Sequence, residues 1–120
     1  MPEQVNVCHL LCKHMHSRNP VSRRTNQSTK NVTVEEAHQE LQKYENHFRQ
    51  LQGQELYDAF TQACNERSDC GSFKEGGSLG MFGRGAMQKP FEEASFALQV
   101  GQMSGIVDTD SGSHLIFRTQ

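Results

Sequence analysis

Apolar residues in this chain fall into short groups with different spacings. Residues 5–13 (VNVCHLLCK) are β-prone. Alternation along a strand puts Val5, Val7, His9, Leu11 and Lys13 on one face and Cys8, Leu10 and Cys12 on the other. Residues 16–31 have no apolar periodicity and are rich in Ser, Asn, Thr and Arg, which predicts a long loop. Loops longer than about 12–15 residues inside compact domains tend to be functional or disordered. Thr33-Val34-Glu35-Glu36 is a capping-box pattern, with the acid three residues after the cap. Val34, Ala37, Leu41, Tyr44, Phe48 and Leu51 then recur at helical spacing, and Gly53 ends the run. Tyr44 and Phe48 read as core. A second, shorter helix has Leu56, Ala59, Phe60, Ala63 and Cys64 on one stripe.

Residues 65–89 are Gly-rich and poorly periodic, with a short strand expected around Leu79–Phe82. Pro90 suits the first position of a helix whose stripe is Phe91, Ala94 and Leu98, running up to Gly101. Two closing strands, about 104–109 and 113–119, are joined by the turn Asp110-Ser111-Gly112. Strand, two helices, strand, helix and hairpin make an α+β domain with a largely antiparallel sheet.

The length of 120 residues fits one domain, 1–120, that needs no disulfide staple. No apolar run approaches a membrane span. Met1-Pro2-Glu3-Gln4 lacks the order of a signal peptide, so a reducing compartment is expected, with free thiols. The net charge of −2 conceals an uneven distribution. Lys13, Arg18, Arg23, Arg24 and Lys30 lie together with no acid between Glu3 and Glu35, giving +5 on that segment and −7 elsewhere. A chain basic throughout would suit nucleic acid. A short cationic segment on an acidic body suits a local anion such as a phosphate group, or is simply a solvated loop.

The stretch Cys8-His9-x-x-Cys12-x-His14-x-His16 packs five possible metal ligands into nine residues. Alternation turns His9 away from Cys8 and Cys12, and no second pair completes a tetrahedral set, so no metal site is assigned. Cys64 reads as a small core residue. Cys70, in the polar loop Ser68-Asp69-Cys70-Gly71-Ser72, is a candidate nucleophile, although the adjacent Asp69 is expected to raise its pKa. The glycines at 76, 77, 80, 83 and 85 lack the Gly-Lys-Ser/Thr of a phosphate-binding loop.

Taken together, these stretches resemble one family. VCHLLCKH at 7–14 is similar to the opening strand of the parvulin peptidyl-prolyl cis/trans isomerases. GGSLGMFGRGAMQKPFEEASFAL at 76–98 resembles that family's glycine-rich strand and following helix. GQMSG at 101–105 and TDSGSH at 109–114 resemble its closing hairpin. The basic loop, about 14–32, and the cysteine at 70, where many parvulins have aspartate, resemble the Pin-type, phosphorylation-directed members. One departure is Arg18-Asn19, where Pin-type enzymes often have two arginines; Arg23 or Arg24 would have to replace the second. With no Trp, the chain resembles the single-domain members that lack a WW domain.

The resemblance implies a parvulin-like fold of the FKBP-like superfold: a four-stranded, mostly antiparallel sheet surrounded by about four helices. It implies a catalytic group of His9, Cys70, Ser111 and His114. It further implies a proline pocket of Leu79, Met87 and Phe91 with Phe82 close by, and Gln88 recognising substrate backbone. Lys13, Arg18, Arg23 and Arg24 would hold a phosphate. On residue pattern alone, the apolar members read equally as core and the histidines as buried strand residues. Lys13 shares a strand face with His9, however, which puts phosphate and proline on one side of the sheet without appeal to the family. The activity implied is isomerisation of phospho-Ser/Thr-Pro bonds in regulatory proteins, by non-covalent stabilisation of the twisted amide. It needs no cofactor, nucleic acid or membrane, and is expected of a monomer in cytoplasm and nucleus. The alternatives are a general, phosphorylation-independent parvulin, a phosphopeptide-binding module without turnover, and a cysteine hydrolase using Cys70 and a histidine.

Overall fold

The computed structural model describes residues 3–120; Met1 and Pro2, the first half of the segment read above for a signal peptide, lie outside the described residues. Four strands form one antiparallel sheet: β1 (Gln4–Cys12), β2 (Ser78–Gly83), β3 (Val107–Thr109) and β4 (Gly112–Arg118), in the order β2-β1-β4-β3. The helices are α1 (Val34–Phe48), α2 (Gly53–Arg67) and α3 (Lys89–Ala97), with a 3-10 turn at Gly71–Glu75. Four helical elements around four antiparallel strands is the α+β architecture expected. Among the described residues no helix is long and apolar enough to cross a membrane.

The alternation of β1 sorts the interior into two layers. Cys8, Leu10 and Cys12 face α1 and α2, packing with Leu41, Phe48, Phe60, Leu115 and Phe117. Val5 and Val7 face α3, with Phe82, Phe91 and Ile116. Since β1 and β4 are the two central strands, their residues on the α3 face are buried from both sides. His9 pairs in register with Ile116, and Leu11 with His114, so His9 and His114 are diagonal neighbours on that face.

The capping box forms as its sequence dictates. The Glu36 N–H donates to Thr33 Oγ1 at 3.0 Å, and Glu36 Oε1 accepts the Thr33 N–H at 3.1 Å. Boundaries differ elsewhere. Helix α1 stops at Phe48: the Arg49 N–H still donates to the Glu45 carbonyl, but the Gln50 and Leu51 N–H groups donate to the His47 and Phe48 carbonyls, which turns Leu51 out of the helix. Gly53, with φ +60°, opens α2 rather than closing α1. Pro90 takes the second position of α3, not the first, and α3 ends at Ala97 rather than at Gly101. Strand β3 is shorter than expected because Ser104 exchanges bonds with Ile116 through its side chain as well as its main chain, which breaks the ladder before Val107. The 3-10 turn carried no apolar stripe to announce it. Gly77 sits against β1: a Cβ there would lie 2.6 Å from both Cys64 Sγ and the His9 carbonyl.

Candidate active site

Two adjoining cavities open on the α3 face of the sheet. One, of about 310 Å³, is lined by His9, Arg18, Cys70, Leu79, Ala86, Met87, Gln88, Phe91, Thr109, Ser111 and His114. The other, of about 360 Å³, is lined by Leu11, Lys13, Arg18, Asn19, Arg23, Cys70, Gly71, Ser72, Leu79 and Ser111. Arg18, Cys70, Leu79 and Ser111 form the shared wall. The first cavity joins the apolar Leu79, Ala86, Met87 and Phe91 to polar side chains, and the second holds three cationic side chains with no acid.

The floor of the apolar cavity is a hydrogen-bonded line. His9 Nδ1 and His114 Nδ1 are 2.9 Å apart, and His114 Nε2 lies 2.7 Å from Thr109 Oγ1. Two Nδ1 atoms at that distance share one proton, so the tautomers are coupled. When His9 donates, neutral His114 carries its hydrogen on Nε2 and gives it to Thr109. When His114 donates, the Thr109 hydroxyl points back at its Nε2. Burial, then the neighbouring His9, hold the His114 pKa well below that of an ordinary histidine, so His114 stays neutral. The rings stack with centroids 5.1 Å apart. Phe91 meets both edge-on, at 5.4 Å from His9 and 5.1 Å from His114. Phe82 lies behind Phe91, buried, and supports the wall without lining the cavity.

Cys70 corrects an expectation. Burial pushes its thiol up, but the His9 ring, by hydrogen bonding and charge, and Ser72 draw it down to about 6. Asp69 does not raise it, because that carboxylate turns away to the Lys13 N–H and the Ser22 hydroxyl. His9 Nε2 and Ser72 Oγ are buried with no other hydrogen-bond partner, so both are available to the sulfur. The other cysteines are free and buried; burial takes Cys8 to about 11 and Cys12 to about 12. Among the described residues no three His, Cys, Asp or Glu side chains are grouped to hold a metal ion.

Gln88 is engaged at both ends of its amide. Nε2 donates to Ser111 Oγ at 2.9 Å, and Oε1 accepts the Asp110 N–H at 2.9 Å. It therefore clasps the start of α3 to the closing turn and fixes Ser111, rather than presenting a free amide. Lys13 is buried, and Nζ donates to the carbonyls of Asn19 and Val21 at 3.0 and 2.8 Å. One ammonium hydrogen remains for the cavity. Arg18 is carried to the shared wall by its N–H, which donates to the Asp110 carbonyl at 2.6 Å. Arg23 lines the cationic cavity beside the Asn19 that interrupts the arginine pair, whereas Arg24 lines neither cavity. Arg24 Nε is buried without a hydrogen-bond partner. Nothing in the sequence marks Thr109 as lining the site or Asp69 as tied to it, since a threonine before a turn and an acid after a helix carry no distinguishing pattern.

Comparison with known proteins agrees with this geometry. Residues 9–120 match the rotamase family model, described as PPIC-type PPIase domain. The peptidyl-prolyl cis-trans isomerase NIMA-interacting 1 of Theileria annulata is 45% identical over 97% of this chain and 80% of its own length. Peptidyl-prolyl cis-trans isomerase Pin1 of Malus domestica is 47% identical, over 97% of this chain and 93% of its own. The solution structure of TbPIN1 superposes with a TM-score of 0.84 at 48% identity, covering both chains completely. A partly apolar pocket floored by paired histidines, in a chain so related, makes this protein a member of the parvulin (PPIC-type) family of peptidyl-prolyl cis/trans isomerases, of the Pin type.

Proposed function

We propose that this isomerase acts on phospho-Ser/Thr-Pro bonds of regulatory proteins. The observation that carries the reading is the shared wall. A cavity bearing Lys13, Arg18 and Arg23 abuts the pocket of Leu79, Met87 and Phe91, so a phosphate in one and a proline ring in the other belong to adjacent residues. Arginine binds a phosphate dianion bidentately, and such charge-assisted hydrogen bonds are strong. Arg23 supplies the second guanidinium that Asn19 lacks.

Rotation about the prolyl bond meets a barrier of about 18–20 kcal/mol because it breaks amide resonance. Catalysis requires that the twisted amide be held better than the planar one. The apolar pocket grips the ring and the cationic cavity anchors the preceding residue, so rotation is confined to the bond between them. Cys70, at the wall between the two, faces that bond, and its sulfur acts by charge rather than by forming an acyl intermediate. All these residues come from one chain, which supports action as a monomer. The small mass and the basic loop fit residence in cytoplasm and nucleus.

Exchange-resolved NMR on paired phospho-Thr-Pro and Thr-Pro peptides, with catalytic protein, tests the reading. Fast cis/trans exchange in the phosphorylated peptide alone is the expected result. Equal exchange in both would make the enzyme a general parvulin, and binding shifts without exchange would make it a reader.

A further inference from the structure

The turn after α2 holds one deeply buried acid whose bonds run away from both cavities. Asp69 is 3% exposed. Its Oδ2 accepts the Lys13 N–H at 2.9 Å, Oδ1 accepts the Ser22 hydroxyl at 2.7 Å, and Arg67 donates to Oδ1 at 3.3 Å. The main chain is engaged as well: the Asp69 N–H donates to the Leu11 carbonyl at 2.8 Å, and its carbonyl accepts the Arg23 N–H at 2.9 Å. Ser22, also buried, accepts the N–H groups of Arg24 and Thr25 at 3.2 and 3.3 Å. The turn that carries Arg23 therefore hangs from one carboxylate, which also holds the end of β1 at Lys13 and directly precedes Cys70.

We infer that Asp69 is the positioning residue of the phosphate grip: through Ser22 and the main chain of residues 13 and 23, it sets Lys13 and Arg23 in the lining of one cavity. This rests on the phosphate reading above. Asp69 lines neither cavity. Its charge is matched by Arg67, which Glu40 holds from α1 at 3.7 Å. A buried carboxylate stripped of donors is strongly unfavourable, so the three donors and the acid order one another. Without that tie, Lys13 and Arg23 would have to be arranged by the substrate itself, at a cost in affinity.

The test uses the full chain with Ser22→Ala, Ser22→Thr and Asp69→Asn. kcat and KM are measured on a phospho-Thr-Pro peptide and its unphosphorylated counterpart, with a thermal midpoint for each variant. In Ser22→Ala and Asp69→Asn, the ratio of kcat/KM values (phosphorylated over plain) falls about tenfold, mostly through KM of the phosphopeptide, as loss of an ordered charge-assisted contact requires. Ser22→Thr keeps the hydroxyl and restores most of the ratio. A folded Ser22→Ala variant with an unchanged ratio overturns the positioning role while leaving the phosphate reading intact. A wild type that turns over both peptides alike overturns both. Should Asp69→Asn fail to fold, Ser22→Ala, on the loop outside the sheet, decides alone.

Discussion

The ionisation of Cys70 is the site property most open to measurement. With a pKa of about 6, the thiol is roughly 90% thiolate at pH 7, against about 1% for a thiol titrating at 9.0. Depressed basicity also lowers intrinsic nucleophilicity. A Brønsted slope of about 0.4–0.5 over three units gives back roughly 20-fold. The net expectation against an ordinary exposed thiol is alkylation about 25-fold faster at pH 6 and about fourfold faster at pH 7, with a crossover before pH 8. Partial burial scales the whole curve and leaves its midpoint in place.

The assay is the rate of carbamidomethylation by iodoacetamide between pH 4.5 and 9.5, mapped by mass spectrometry. Modification should be confined to Cys70, since burial keeps Cys8, Cys12 and Cys64 protonated and covered. The rate should rise with a midpoint near 6, and His9→Asn should move that midpoint above 7. A wild-type midpoint near 9 would refute the thiolate. An unmoved midpoint in His9→Asn would refute His9 as its cause. The same shift bears on stability. Between pH 6 and 9 the unfolded thiol keeps a proton that the native one has lost, so stability rises with pH across that window and the contribution disappears below it. Cys70→Ser should flatten this rise in the thermal midpoint.

Three further outcomes are expected. Gly77→Ala meets Cys64 Sγ and the His9 carbonyl at 2.6 Å with φ at +85°, so urea unfolding should show a loss of at least about 1–3 kcal/mol; Gly71→Ala, open on all sides, should stay within about 0.5 kcal/mol of wild type. Thr33→Ala removes the hydroxyl half of the capping box and should cost about 1 kcal/mol by the same measurement. Thr109→Val leaves His114 Nε2 buried without its partner at a cost of about 1–3 kcal/mol, and the His114 imidazole resonances in NMR should report the changed tautomer.

Much of the fold was legible because it depends on local periodicity. Alternation in β1 sorted Cys8, Leu10 and Cys12 from Val5, Val7 and His9, and the Thr33–Glu36 box placed the start of α1 to the residue. Helix ends were less legible: Leu51 kept the spacing of the stripe, yet the chain had already turned at Arg49. The 3-10 turn has no stripe to read. At the site, strand-face parity was enough to join Lys13 to His9, but not to choose between Arg23 and Arg24. That choice depends on how Ser22 hangs from Asp69, 47 residues away in sequence. The Cys70 pKa likewise depends on a contact distant in sequence. Adjacency in sequence suggests Asp69 as its neighbour, whereas the carboxylate bonds Lys13 and Ser22 and His9 arrives from β1.

The hold of Lys13 on the carbonyls of Asn19 and Val21 has a thermal consequence. The cationic loop hangs on polar links to the end of β1, to Asp69 and to the Asp110 carbonyl, whereas the apolar pocket is built on the central strands of the sheet. Local opening draws first on segments with few apolar contacts. On warming, the loop therefore detaches while the pocket still stands. In the proposed enzyme, discrimination between modified and plain substrates then melts at a lower temperature than turnover, and heat converts a selective isomerase into an indiscriminate one before it stops it.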